Sequence, residues 1–347
     1  MSDGLAPIRH DSLPDTPEPS ENPALFGHVT IANGLAADYR AGRLHHGLLL
    51  SGPAGIGKAT LAFHLAKHLL QHPDPLTAPT ALTLLDPASS LARQVASDAH
   101  PSVLHLTRPV NERTKGFKSA VTADEVRRIN RFLSHTAHDG GWRIVIIDPA
   151  DDMNRNAANA LLKNLEEPPT RTLFILIAHQ AGGLLPTIRS RCRLVRLQPL
   201  AADDLRKAVG AVRPDLPPLP DAVIDSSGGS VREALLDLAF GGQDISHATQ
   251  TLLEGRRLDV VRLQTLAETV AGRNAGIRYD LFTARLLDRL AAMAGAAADA
   301  GDAARADRLA ALWQETSRAT GEADAYNLDR KQHVSGQLTL IHAALHG

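Results

Sequence analysis

Gly52, Gly57 and Lys58 stand at the spacing of a phosphate-binding loop, G-x-x-x-x-G-K-[ST], but Ala59 fills the place of the hydroxyl residue. In such a loop the glycines, with Gly55 between them here, let backbone N–H groups approach anionic oxygens. The amino end of the next helix adds its dipole and the lysine a point charge. The hydroxyl after the lysine holds Mg²⁺ on a nucleotide. Ala59 has none, and Thr60 comes one position late. The loop is expected to keep the geometry of a nucleotide site without its metal ligand, and whether ATP or ADP occupies it stays open.

A second acidic motif reads Asp148, Pro149, Ala150, Asp151, directly after the apolar run 144–147. An aspartate at a strand end of this kind supports Mg²⁺, and its neighbour is often a glutamate that activates water. Proline carries no base. Taken alone, Asp148 also fits an ordinary strand-end turn. Ala59 and Pro149 strike metal binding and water activation separately, and together they argue against hydrolysis.

These motifs need a scaffold, and the chain supplies alternating patterns. Residues 47–51 read as a buried strand, the glycine loop follows, and 60–70 place Leu61, Ala62, Leu65 and Leu69 at helical spacing. Strand, loop, helix is the context a phosphate loop requires. Further strands are expected at 103–106, 143–147 and 173–178, the last two apolar enough to be buried on both faces. Thr122 and Glu125 form a capping box for a helix to about Leu133. Another helix carries Ala158, Leu161, Leu162 and Leu165 on one face and ends at Pro168 and Pro169. Asp139, Gly140 and Gly141 mark a break. The alternation predicts an α/β fold with a parallel sheet covered by helices. After about Leu200 the strand signals fade. Helices are expected at 201–212 and 230–239, then helices only to the end.

Composition is that of a globular protein, 44% hydrophobic and 22% charged, with net charge −1. Nothing global demands nucleic acid or an anionic membrane as a direct partner. The single cysteine, Cys192, excludes a disulfide framework and a multi-cysteine zinc site. No apolar run approaches a membrane span, and no secretory signal opens the chain. A cytoplasmic protein without membrane partner is the expectation. Residues 1–22, rich in Pro, Ser, Asp and Glu, predict a disordered tail.

Three further motifs make the chain resemble a known family. Residues 156–169, from Asn156 through Leu161, Leu162, Lys163, Glu166 and Glu167 to Pro169, are close to a signature of clamp-loader ATPase subunits. Ser190, Arg191 and Cys192 form their Ser-Arg-Cys motif, and residues 229–235 resemble their second sensor helix. With the loop and the acidic strand, all five fall in the family's order, over residues 25–238. The chain is similar to subunits of the bacterial DNA polymerase III clamp loader, of the AAA+ family.

The resemblance implies a P-loop parallel-sheet domain over 23–199, a small helical lid over 200–241 and an all-helical collar domain over 242–347. It implies that Arg191 acts in trans, reaching ATP held by a neighbouring subunit, with Arg189 as the alternative for a charge role. An arginine finger is worth about 10³–10⁵ in rate in systems that use one. Arg232 would sit on the lid facing this chain's own loop. The implied partners are ATP-hydrolysing subunits and the clamp-opening delta subunit, and through the complex the sliding clamp and primed DNA. Self-sufficient ATPase and ATP-binding sensor are the alternative readings.

Several positions depart from the family. After the strand at 173–178, Ala178 and His179 stand where active relatives carry a polar sensor. Residues 71–102 hold no cysteine, so the zinc module of many relatives is absent and no metal is expected. His64, His68 and His72 fall at i, i+4 and i+8, but solvated histidines are the simpler reading than a metal site. The stretch 110–118 is basic with one aromatic; a solvated loop is preferred to a DNA contact. The charges at Asp329, Arg330 and Lys331 read as a helix surface.

Overall fold

The computed structural model describes residues 9–111, 116–134, 141–272 and 275–346. The chain divides into two compact units, one ending at Ala234 and the other beginning at Leu235.

In the first unit the elements run α1 (Val29–Arg40), β1 (Gly47–Ser51), α2 (Lys58–Gln71), α3 (Ser90–Ala96), β2 (Val103–Leu106), α4 (Ala123–Ser134), β3 (Arg143–Ile147), α5 (Arg155–Glu166), β4 (Thr172–Ala178), α6 (Pro186–Arg189) and β5 (Arg193–Arg196). The five strands make one parallel sheet in the order β2-β3-β4-β1-β5. β4 is buried along its whole length and β3 after its first residue. Such two-sided burial is what runs of Ile, Leu and Val without polar alternation require.

Successive strand residues point to opposite faces. Leu48, Leu50, Ile144, Ile146 and Ile175 therefore pack on one side with Leu61 and Leu65 of α2 and Tyr39 of α1. Leu49, Val145, Ile147 and Phe174 pack on the other with Ile129 of α4 and Leu161 of α5. Each such buried side chain contributes about 1.5–3 kcal/mol, and together they fix the strand ends that carry the loop and the acidic motif. α7 (Ala202–Val212), α8 (Asp221–Ser227) and α9 (Val231–Phe240) follow. The first unit closes at Ala234, inside α9, rather than after it.

The second unit is helical throughout its described residues: α10 (Gly242–Glu254), α11 (Val260–Ala271), α12 (Gly276–Asp299), α13 (Ala303–Tyr326) and α14 (Arg330–His346). Its core includes Leu252, Leu266, Phe282, Leu290, Leu309 and Leu338. Asp237, almost fully buried, pairs with Arg285 at 2.6 Å, and the Arg330 guanidinium stacks 4.5 Å from the Tyr279 ring centre. No helix among the described residues is long and apolar enough to cross a membrane.

Some expectations need correction. Of the tail expected to be disordered over 1–22, residues 1–8 lie outside the described residues and the rest is packed: Arg9, Leu13, Glu18 and Ser20 are buried. Arg9 is held by Glu18 at 2.9 Å and Asp98 at 2.5 Å, and Lys67 Nζ donates to the Ser20 carbonyl at 2.7 Å. β5, α1 and α3 were not anticipated. His64 and His68 are not solvated; they are buried in α2, and burial pushes both imidazoles down to about 4. Among the described residues, no cluster suited to a metal ion occurs. In the basic stretch, 112–115 lie outside the described residues; its flanks pair as Val110 with Phe117, antiparallel. Asp139 and Gly140 of the expected break also lie outside them.

Candidate functional site

The loop between β1 and α2 is built on glycines that no other residue replaces without strain. Gly55 and Gly57 have φ of 73° and 98°, a region that L-residues enter at a cost. A Cβ on Gly52 would fall onto the Leu197 carbonyl oxygen. His28 Nε2 donates to the Ile56 carbonyl at 2.8 Å. Lys58 turns back on its own loop: Nζ donates to the carbonyls of Gly52 at 2.8 Å and Pro53 at 2.5 Å. Burial pushes the ammonium down to about 8, partly offset by the negative charges of Asp148 and Asp151. Ala59 packs against the apolar cluster of β1 and α2, and Thr60 is buried in the first turn of α2.

Asp148 leaves the carboxyl end of β3, half-buried, with Lys58 in electrostatic reach. Burial first, and then the charge of Asp11, push its carboxyl up to about 7, against the opposing pull of Lys58 and Arg9. Asp151 is the organising group of the neighbouring turn. Its Oδ2 accepts from the backbone N–H of His179 at 2.9 Å and Gln180 at 3.0 Å. It thereby fixes the loop after β4 where a sensor side chain was sought.

The amino end of α9 closes over the loop. Val231 N–H donates to the Gly55 carbonyl at 3.0 Å. A Cβ on Gly55 would collide with Ser230 Oγ and lie 2.5 Å from Arg232 Cβ. Arg232 thus sits at the loop, but its Nη1 donates to the Asp11 carbonyl. Of the residues marked from sequence, Gly52, Gly55, Gly57 and Lys58 share the loop, Arg232 lies against Gly55 and Asp148 is in electrostatic reach of Lys58, whereas Thr60 is buried in α2. The metal ligand of a magnesium nucleotide is lacking at Ala59, which offers no oxygen, and Lys58 and Arg232 are engaged on backbone carbonyls.

Arg191 lies elsewhere. It precedes β5, and its own carbonyl would lie 3.1 Å from a Cβ on Gly47, at the start of β1. The loop begins at the other end of that five-residue strand, roughly 15 Å away at about 3.3 Å per residue. Arg191 Nη2 pairs with Glu166 Oε1 at 2.7 Å, and Nη1 donates to the Thr187 carbonyl at 2.9 Å. Arg189 is exposed. Cys192 is half-buried, and burial pushes its thiol up to about 11. Sequence reasoning missed Glu166 as the partner of Arg191, although Glu166 stands in a quoted motif, and it missed Asp11 altogether.

A family model described as "DNA polymerase III, delta subunit" matches residues 27–201, half of the chain. The chain is 42% identical over 147 residues to the DNA polymerase III subunit delta' of Pseudomonas aeruginosa, covering 42% of this chain and 41% of that one. It is 34% identical over 165 residues to the DNA polymerase III subunit delta' of Escherichia coli, covering 48% and 46%. It is 29% identical over 231 residues to the DNA polymerase III subunit gamma/tau of Mycobacterium bovis, covering 65% and 37%. The matched region spans less than half the length of each of these curated relatives. The family match establishes that this chain belongs to the DNA polymerase III delta-subunit family described by that model, with similarity to its delta' members, and the parallel sheet gives it an α/β fold with a helical C-terminal region.

Proposed function

We propose that this chain serves the clamp loader as a subunit that does not hydrolyse ATP itself and supplies Arg191 in trans to ATP on a neighbouring subunit. The observation that carries the reading is the separation within β1. Arg191 lies at the strand's amino end and the loop at its carboxyl end, so Arg191 cannot serve its own loop. A guanidinium half-exposed there is available to a nucleotide outside the chain. Planar bidentate donors suit a γ-phosphate and stabilise transition-state charge, an effect of about 10³–10⁵ in rate where arginine fingers are known.

The own-loop chemistry points the same way. With no hydroxyl at Ala59 and with Pro149 beside Asp148, Mg²⁺ lacks its usual loop ligand and attacking water its usual base. The loop's remaining role is architectural, joining β1, α2 and the start of α9. The partners on this reading are the ATP-hydrolysing subunits and the delta subunit. The assembled complex places the sliding clamp on primed DNA in the cytoplasm.

The test is ATP turnover by the purified chain and by the reconstituted complex. The chain alone should show none. The complex carrying Arg191→Ala should assemble and lose turnover by at least tenfold. Mg²⁺-dependent turnover by the chain alone that vanishes on Lys58→Ala would replace this reading with a self-sufficient ATPase. Full turnover by the Arg191→Ala complex would remove the arginine-finger role.

A further inference from the structure

We propose that residues 9–13 are a built-in occupant of the degenerate nucleotide site, lying across the crevice between α9 and the strand ends and keeping nucleotide out. The inference is independent of the role assigned to Arg191.

In parallel α/β sheets, ligands bind outside the carboxyl ends of the strands. Here that crevice is bounded by the loop and α9 on one side and by the ends of β2, β3 and β4 on the other. Asp11 touches the first side through its carbonyl, which accepts from Arg232 Nη1. Its carboxylate is felt on the second side by Asp148 and by His179. His10 lies in the field of Arg108 and Asp152, a pair at the same strand ends, and its ring meets Phe117 edge-on with centroids 6.3 Å apart. Two consecutive residues thus reach the groups around the crevice.

The segment is anchored at both ends. Arg9 is buried and paired with Glu18 and Asp98. Ser12 N–H donates to the Arg9 carbonyl at 3.2 Å, and Ser12 Oγ donates to Glu18. Leu13 is buried, and Arg213 Nη1 donates to the Pro14 carbonyl at 3.4 Å. A buried arginine with two carboxylate partners is costly to release, so the segment is held rather than resting on the surface.

The consequence concerns Arg232 and Asp148. A cation placed by α9 for a phosphate is spent on a peptide carbonyl. A carboxylate, that of Asp11, stands near Asp148 where an anionic ligand would come. Both the space and the positive charge of the site are taken by the chain itself.

The experiment compares the full chain with a variant lacking residues 1–16, using fluorescent N-methylanthraniloyl-ADP in EDTA, so that no metal enters. The variant should bind at least tenfold more tightly than the full chain, and pyrophosphate should compete. Adding Lys58→Ala should abolish the gained binding. If the truncated chain does not fold by circular dichroism, Arg9→Ala, which releases the segment from Glu18 and Asp98, is measured by the same criterion. Equal affinity in the folded variant and the full chain overturns the proposal. So does gained binding that survives Lys58→Ala.

Discussion

Glu166 Oε1 lies 2.7 Å from Arg191 Nη2, so the arginine assigned to a neighbour's ATP is held in this chain by its own carboxylate. The two side chains keep 48% and 34% of their exposure. A pair so open to water contributes at most about 1 kcal/mol. The carboxylate therefore orients the guanidinium without locking it, and a phosphate with more charge can take it over. Glu166→Gln is expected to change the unfolding free energy by less than about 1 kcal/mol in urea titration. A loss of several kcal/mol would mean that the pair is a structural element rather than a resting place.

Lys58 is the case of a buried cation with two backbone acceptors. Lys58→Met leaves the carbonyls of Gly52 and Pro53 without their donor, a cost of about 1–3 kcal/mol per orphaned buried group, set against relief of the buried charge. The pH dependence separates the two effects. The folded pKa is lowered from 10.5 to about 8, so between these values the unfolded chain binds more protons. Stability of the native protein should then rise with pH from about 8 to 10.5. In Lys58→Met that rise should shrink, as measured by urea midpoints across the window.

Asp148 has the opposite sign. Its folded pKa is raised from 3.8 to about 7, so between these values the folded chain binds more protons. Its contribution is present at low pH and lost as pH rises from about 4 to 7. Asp148→Asn should flatten that part of the profile and be more stable than the native protein at pH 8. Because Asp11 supplies the second cause of the shift, Asp11→Asn should move the midpoint of this loss to lower pH. An Asp11→Asn profile superimposable on that of the native protein would place Asp11 away from Asp148.

Most strands around this site were legible as short apolar runs, β3 and β4 buried on both faces. β1, β2 and β3 run over the residues read from sequence, and β4 begins one residue earlier, at Thr172. β5 was not legible. Arg193, Leu194 and Arg196 are exposed, and among the described residues the strand pairs only with β1 at the sheet edge, where charged residues are usual. α1 escaped because His28 gives no side-chain cap and its buried positions include small residues, Ala32 and Ala36. The order near Arg9 comes from a partner 89 positions away, Asp98, which no local pattern encodes. For the same reason the histidines of α2 were misread. Helical spacing shows which residues share a face, whereas α1, α3 and the sheet, all packed against α2, decide that His64 and His68 are buried. The loop residues were legible one by one, but their engagement with α9 was legible only through the family resemblance, which put Arg232 facing the loop. That contact joins Gly55 to residues 230–232, and nothing in either segment names the other.

That contact gives the sharpest test of the loop's architectural role. Gly55 has φ of 73°, and a Cβ there would meet Ser230 Oγ and Arg232 Cβ. The left-handed conformation costs an L-residue about 1–2 kcal/mol, and forcing the start of α9 outward adds about 1–3 kcal/mol. Gly55→Ala should therefore lose about 2–5 kcal/mol in urea titration, with faster amide exchange at Val231, whose N–H donates to the Gly55 carbonyl. Gly34 is the control. It lies exposed in α1, and a Cβ there meets nothing within 4 Å. Gly34→Ala should gain about 0.5–1 kcal/mol from helix propensity and reduced chain entropy. If the two substitutions have similar effects, α9 does not bear on the loop, and the loop's structural role loses its support.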